Sequence, residues 1–373
     1  MGEIDDFVRL AQRQGVQLNG IEPARIPGRG IGVVATRTLK PGEAILEVPM
    51  QAVRSLHSIS EAVSSQLPAG VSFHGVLAAD LALDKTAYLA AWRKLLPTEK
   101  DLTASMPLMW PEELQALLPK AARDIVQKQD DKFRRHWSKV SKAFPSLTEE
   151  EYMYFWLLVN TRTFYLETPE LEVFPWEDRL ALLPVADLFN HAADQGCHVA
   201  YSATEYTITA RRQYEAGEEV FASYGDHSND FLLGEYGFVM DENKWDFVCL
   251  DEVILPRLTR AQKRELEASG HAGPYMLAAD SGPSRHLVAV LQKLAPSGEN
   301  SPGSYDDTDK SLELGAAAKE LLKELLGEAL ANTQGVRGKI PGLRAGQSTQ
   351  RDMLYHRWEQ IESILLKSIG SLN

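Results

Sequence analysis

Pro184-Val185-Ala186-Asp187-Leu188-Phe189-Asn190-His191 and Phe221-Ala222-Ser223-Tyr224-Gly225 are two dense clusters in which reactive side chains sit among apolar ones. The second continues through Ser228-Asn229 to Glu235-Tyr236-Gly237-Phe238. Between the clusters, Cys197 to Arg211 alternates apolar and polar residues, the period of half-buried strands. Polar groups at strand ends beside apolar neighbours are what a ligand site needs. Asn190 offers a donor and an acceptor, and neutral His191 offers one of each. Together they suit a ligand with an amine and a heteroaromatic ring. Tyr224 follows a strand ending in Val220-Phe221 and can aim its hydroxyl into a cleft. Each residue alone also fits a structural role: a turn asparagine, a satisfied core histidine, a core tyrosine with a capped hydroxyl.

Upstream, Arg162 follows the apolar face of a helix carrying Tyr152, Phe155, Trp156 and Val159, and precedes Phe164 by two. A guanidinium held there suits a carboxylate bidentately, or a surface ion pair. Near the start of the chain, Pro27-Gly28-Arg29-Gly30-Ile31-Gly32 enters the β-branched Val33-Val34. It is not the dinucleotide fingerprint, because position 33 is valine and no strand is read before Pro27. Its glycines either let backbone N–H groups approach a ligand or simply make a hairpin turn. Tyr236 and Phe238 put two rings on one side of an extended segment, or belong to a core.

The chain between these points changes character. Residues 4–14 form an amphipathic pattern. Pro41-Gly42-Glu43 is a turn, and Ala44 to Pro49 reads as the strand paired with the glycine-rich one. Residues 51–166 read as helical: His74 to Leu96, a helix opened by Pro111, a charged and solvated one over Ala121 to Ala143, and a capped one after Ser146. Strand composition returns from Arg179 to Phe221, so a β region is split by a helical insertion. After Val253 helices resume at Arg285–Leu294, Leu312–Leu330 and Ser348–Leu366, with a polar loop over Ser297–Asp309.

The chain has 373 residues, enough for two domains or one elaborated domain with a substantial core. Its net charge of −13 repels nucleic acid and anionic membranes and would attract a basic partner, or serves solubility alone. Two cysteines build neither a disulfide framework nor a cysteine zinc cluster. The N-terminus lacks the apolar core of a signal peptide. A reducing compartment, cytoplasm or nucleus, is expected.

In this order the motifs resemble the SET-domain protein methyltransferases. They run Gly-Arg-Gly-Ile-Gly, helical insertion, Arg162-x-Phe164, Ala186 to His191, Gly217-Glu218-Glu219-Val220 through Ser223-Tyr224-Gly225, and Ser228-Asn229 through Tyr236-Gly237-Phe238. The match is to the subgroup typified by the Rubisco large-subunit lysine methyltransferase. The resemblance implies an α+β fold: small sheets split by a helical insertion, then a mostly α-helical C-terminal domain. The implied domains are 1–250 (N-terminal part 15–50, insertion about 51–178, C-terminal part 179–240) and a helical substrate-binding domain, 251–373.

By position, the resemblance implies that Arg29, Gly30 and Ile31 hold S-adenosylmethionine by their backbone. Arg162 pairs with its carboxylate, and Asn190 and His191 contact its amino-acid and adenine parts. Tyr236, Gly237 and Phe238 close over the adenine and line a lysine channel. Phe164 and Asp187 border the substrate side, and Tyr224 is the catalytic tyrosine. S-adenosylhomocysteine is the product. The partner implied is a basic protein such as a ribosomal protein, translation factor or histone, with no direct nucleic-acid or membrane contact. A relative that methylates actin histidine carries asparagine at the position of Phe164; an apolar wall suits an aliphatic lysine stem. The competing readings are a non-catalytic SET-fold peptide binder, a protein-histidine methyltransferase, and a metal-dependent hydrolase using Asp187, His191 and His198.

Overall fold

The computed structural model describes residues 2–169, 172, 174–194, 196–295 and 314–372. It contains two compact units: Met1–Ala104 with Val126–Asp226, and Ser105–Ile125 with His227–Asn373. The expected division at residue 250 differs from this one. The chain leaves the first unit just after the Tyr224 cluster, and part of the insertion belongs with the second unit. The polar loop expected over Ser297–Asp309 lies outside the described residues.

The first unit is α+β, as expected. One antiparallel sheet runs Gln17–Leu18, Ala44–Pro49, Glu205–Thr209, His198–Tyr201. A second runs Ile21–Ile26, Gly30–Ala35, Glu219–Ala222, Asn190–His191, and its last pair is parallel. The hairpin expected between the glycine-rich strand and Ala44–Pro49 does not form. Gly30–Ala35 instead pairs with Ile21–Ile26 across a three-residue loop, with Gly28 and Gly30 at positive φ. So a strand does precede Pro27. Pro23, Glu22 and Arg25 disguise it in the sequence, but it is an edge strand, where proline is tolerated. Pro41-Gly42 leads the chain into the other sheet, where the Gly42 N–H donates to Ala210.

The helical insertion is observed, with two local differences. The stretch His74–Leu96 forms two helices, Phe73–Leu83 and Ala87–Arg93. Thr86 caps the second by accepting from the Leu89 N–H, while Asp84 accepts from the Thr86 N–H at 2.8 Å. The charged helix Lys120–Ala143 is not wholly solvated. Ala122, Val126, Gln129, Phe133, His136 and Val140 are buried at helical spacing. Two of these six are polar, which hides the stripe from an apolar-only reading. Helix Glu149–Arg162 opens on Thr148, whose side chain accepts from the Glu151 N–H, and buries Tyr152 and Tyr154 through Val159. Arg162 is its last residue, so packing of the helix sets the height of the guanidinium.

Two buried histidines tie the insertion together. His136 Nδ1 accepts from Trp156 Nε1 at 3.1 Å, and its Nε2 donates to Ser72 Oγ at 3.2 Å. His74 Nε2 donates to the Trp156 carbonyl at 2.9 Å, and its Nδ1 faces Lys132 Nζ at 3.3 Å. Both rings are therefore neutral. Burial, reinforced by Lys132, pushes His136 down to about 4 and His74 well below its usual range.

In the second unit, helices Arg285–Leu294, Ala316–Arg337 and Ser348–Ser371 surround an aliphatic core including Leu287, Leu322, Leu326, Ile361 and Leu365. A small sheet of Phe247–Cys249, Met276–Ala278 and Gly282–Pro283 joins them, unexpected from the sequence. Arg357 is fully buried and bonds Asp230 and Asp246, each at 2.6 Å. It thereby anchors helix Asn229–Tyr236, and removing one partner of such a group costs about 3–5 kcal/mol.

The histidine pair makes a pH prediction. Imidazoles held neutral when folded bind protons on unfolding, so their stability contribution is present above about pH 6.5 and is lost as pH falls toward 4. The urea midpoint should drop between pH 7 and 4.5, with His136 alone accounting for about 2 kcal/mol. His136→Gln should flatten that dependence. An equally steep loss in the variant would contradict the assignment.

Candidate active site

Strand Glu219–Ala222 is the axis of the candidate site. Glu219 and Val220 face Val34 and Val33 on one side. Phe221 and Ala222 face Asn190 and His191 on the other. The Ala192 N–H donates to the Ala222 carbonyl at 3.1 Å, and the Cys197 N–H to Phe221 at 2.7 Å. This pairing brings Asn190, His191 and Tyr224 together at one strand end, as the sequence clusters anticipate. Cys197 is buried while His198 points outward, as alternation along a strand requires.

Tyr224 is held through its hydroxyl, its backbone N–H and its ring. Its hydroxyl donates to the Phe189 carbonyl at 2.7 Å. Its N–H donates to His191 Nδ1 at 3.0 Å, which places the His191 proton on Nε2. The two rings stack at 5.0 Å. The side chain is half-buried overall. Burial of the hydroxyl pushes its pKa up to about 12; Arg162 opposes this, and Asp187 and Glu219 add to it. Tyr224 therefore keeps its proton at neutral pH. With that proton given to Phe189, the oxygen presents only lone pairs to a ligand.

Beneath lies Asp187. It sits in the 3-10 turn Ala186–Leu188, which begins after Val185 at φ 71. A β-branched residue in that region is strained, and such strain clusters at functional sites. Asp187 Oδ2 accepts from Trp92 Nε1 at 3.0 Å, and its carbonyl accepts from Arg162 Nη1. Burial raises its carboxyl to about 7, against the lowering effects of Arg162 and Trp92.

Two buried polar atoms here have no hydrogen-bond partner among the described residues: Arg162 Nε and Asp187 Oδ1. A buried guanidinium N–H without an acceptor is costly and marks a place for one. Phe164, two residues after Arg162, is half-buried and meets Tyr206 edge-on at 6.3 Å.

On the opposite side of the axis strand, Glu219 links two of the expected residues. Its Oε1 accepts from Asn190 Nδ2 at 2.7 Å, and its Oε2 pairs with Arg29 Nη2 at 2.9 Å. Gly30 and Ile31 begin the strand that pairs with it. Sequence reasoning passed over Glu219 and Trp92. Glu219 stands inside the Gly-Glu-Glu motif but looks like a surface charge, and Trp92 looks like ordinary core.

Tyr236, Gly237 and Phe238 fall in the second unit. Tyr236 ends helix Asn229–Tyr236, and Gly237 caps it at φ 76. The extended segment expected there is therefore a helix end. The Tyr236 and Phe238 rings lie 6.3 Å apart and tilted. A Cβ at Gly237 would come within 2.9 Å of Met106 and Ser105, so the position admits only glycine. Asp187, His191 and His198 do not form a ligand group: among the described residues no three His, Cys, Asp or Glu side chains are placed to hold a metal ion.

The SET domain profile matches residues 30–225, more than half of the chain. The ribosomal lysine N-methyltransferase set11 of Schizosaccharomyces pombe is 28% identical over 305 residues, covering 79% of this chain and 71% of its own. SET domain-containing protein 4 of Mus musculus is 24% identical, covering 89% and 82%. A crystal structure of the SET domain of LSMT bound to lysine and AdoHcy superposes with a TM-score of 0.64 at 16% identity, over 99% of this chain and 90% of that one. With its strand-end cluster inside the matched region, the chain belongs to the SET-domain family.

Proposed function

We propose that this chain is an S-adenosylmethionine-dependent protein-lysine N-methyltransferase. The observation that carries the reading is the buried, unpartnered Nε of Arg162, set within a strand-end cluster whose Tyr224 offers an acceptor. The name of the fission-yeast relative, and the lysine and AdoHcy held by the LSMT structure, support it.

The residues fit the cofactor. Arg162 supplies a charge-assisted donor for a carboxylate. Asn190 and His191, with backbone from Arg29 to Ile31, offer acceptors and donors for an amino acid and a nucleoside. When bound, S-adenosylmethionine supplies a methyl group on a positively charged sulfur. Tyr224 accepts a hydrogen bond from the substrate amine and so aims its lone pair. It is not the base, because its pKa lies near 12. A lysine amine, with a pKa of about 10.4 in water, loses its proton more readily once its stem is desolvated beside Phe164. Holding the reacting atoms in line is then the main contribution.

A basic protein substrate suits a chain of net charge −13, and a ribosomal protein, translation factor or histone remains the proposed class. The second unit is proposed to bind it. Cys197 and Cys249 are both free thiols, which supports action in a reducing compartment, cytoplasm or nucleus. Among the described residues no helix is long and apolar enough to cross a membrane.

Tyr224→Phe should cut turnover about a hundredfold while cofactor affinity stays within about twofold, since only positioning is lost; full turnover on the true substrate would sink the role. Arg162→Ala should weaken S-adenosylhomocysteine about thirtyfold by calorimetry; unchanged affinity would exclude the carboxylate pairing. At a hundred times its Kd that ligand should stabilise the wild type by about 2.7 kcal/mol, and no thermal shift would contradict the cofactor assignment.

A further inference from the structure

We propose that Glu219 is a positioning residue that locks the Asn190 carboxamide so that its Oδ1 faces the ammonium group of the cofactor's amino-acid end. The inference rests on the methyltransferase reading.

The geometry allows one orientation. The Glu219 side chain is only 10% exposed and spends one oxygen on Asn190 and the other on Arg29. A carboxamide oxygen turned toward that carboxylate would repel it, so Nδ2 must face Glu219. Oδ1 then points the other way. The carboxamide's one hydrogen bond among the described residues is the one to Glu219, so Oδ1 is left to accept from a ligand. An acceptor is what a primary ammonium requires; an NH2 in its place would repel it.

Two further features hold this arrangement. Glu219 and Phe221 share a face of the axis strand, and the Arg29 guanidinium lies 5.6 Å above the Phe221 ring, closing that face. Gly32 packs directly underneath. A Cβ there would come within 2.8 Å of Glu219 Oε1 and 2.9 Å of Asn190 Nδ2. The third glycine of the Gly-Arg-Gly-Ile-Gly run thus makes room for the pair. Arg29 is half exposed, so its ion pair adds little to stability; the contact with Asn190 is the consequential one.

The test separates orientation from general damage by using two ligands. S-adenosylhomocysteine has the amino-acid end, and 5′-methylthioadenosine lacks it. Glu219→Ala should weaken the first about tenfold and the second less than about twofold by calorimetry, a loss of about 1.4 kcal/mol confined to one ligand. Glu219→Gln keeps an oxygen for Asn190 and should restore the first to within about threefold of wild type. Gly32→Ala, which crowds the pair from the other side, should repeat the selective loss and serves if Glu219→Ala does not fold. Equal losses for both ligands, no loss at all, or a glutamine variant as weak as the alanine one would overturn the inference. A wild type that binds neither ligand would instead overturn the methyltransferase reading, and this inference with it.

Discussion

The site depends on one strand being paired on both sides. Glu219–Ala222 lies antiparallel to Gly30–Ala35 and parallel to Asn190–His191. A slip of one residue would turn every side chain to the other face. It would part Glu219 from Asn190 and Arg29, and Tyr224 from His191 and Phe189. Crowding keeps the register. A Cβ at Gly32 would strike Glu219 and Asn190, and one at Gly196 would come within 2.4 Å of the Ser223 backbone. Glycines on both flanks thus let three backbone segments close on each other.

Around that strand, burial does most of the electrostatic work. It raises the Tyr224 hydroxyl further above the neutral range and the Asp187 carboxyl up toward it, and leaves Arg162 as the cation that opposes both shifts. Trp92 brings the insertion into this network through the Asp187 carboxylate, so a helix far from the strand in sequence braces the turn before Asn190. The strain at Val185 fits such bracing: a turn fixed at both ends holds a backbone angle valine otherwise avoids.

Much of this was legible in the residues themselves. Asn190, His191 and Tyr224 stand in short motifs, the splitting of a β region by a helical insertion follows from switches in strand and helix patterning, and the α+β class follows from the family resemblance. Strand pairing was not legible. Ala44–Pro49 looks like the natural hairpin partner of Gly30–Ala35, but its partners are Gln17–Leu18 and the distant Glu205–Thr209, and nothing local in the chain announces that. Ile21–Ile26 was hidden by Pro23, and the buried face of Lys120–Ala143 by Gln129 and His136. Glu219 escaped notice because a carboxylate becomes a site residue only once its two partners are known. Composition did not mark the boundary after Asp226, where the chain passes from one unit to the other.

The central claim is that this cluster delivers a methyl group to a protein lysine. It is met most directly by quantitative mass spectrometry of methylated proteins from cells with and without the gene, restored by the wild-type chain or by Tyr224→Phe. One or a few lysines of a basic protein should lose methylation and regain it only with the wild-type chain. Lysine methylation unchanged by loss of the gene, or a change confined to histidine, would contradict it.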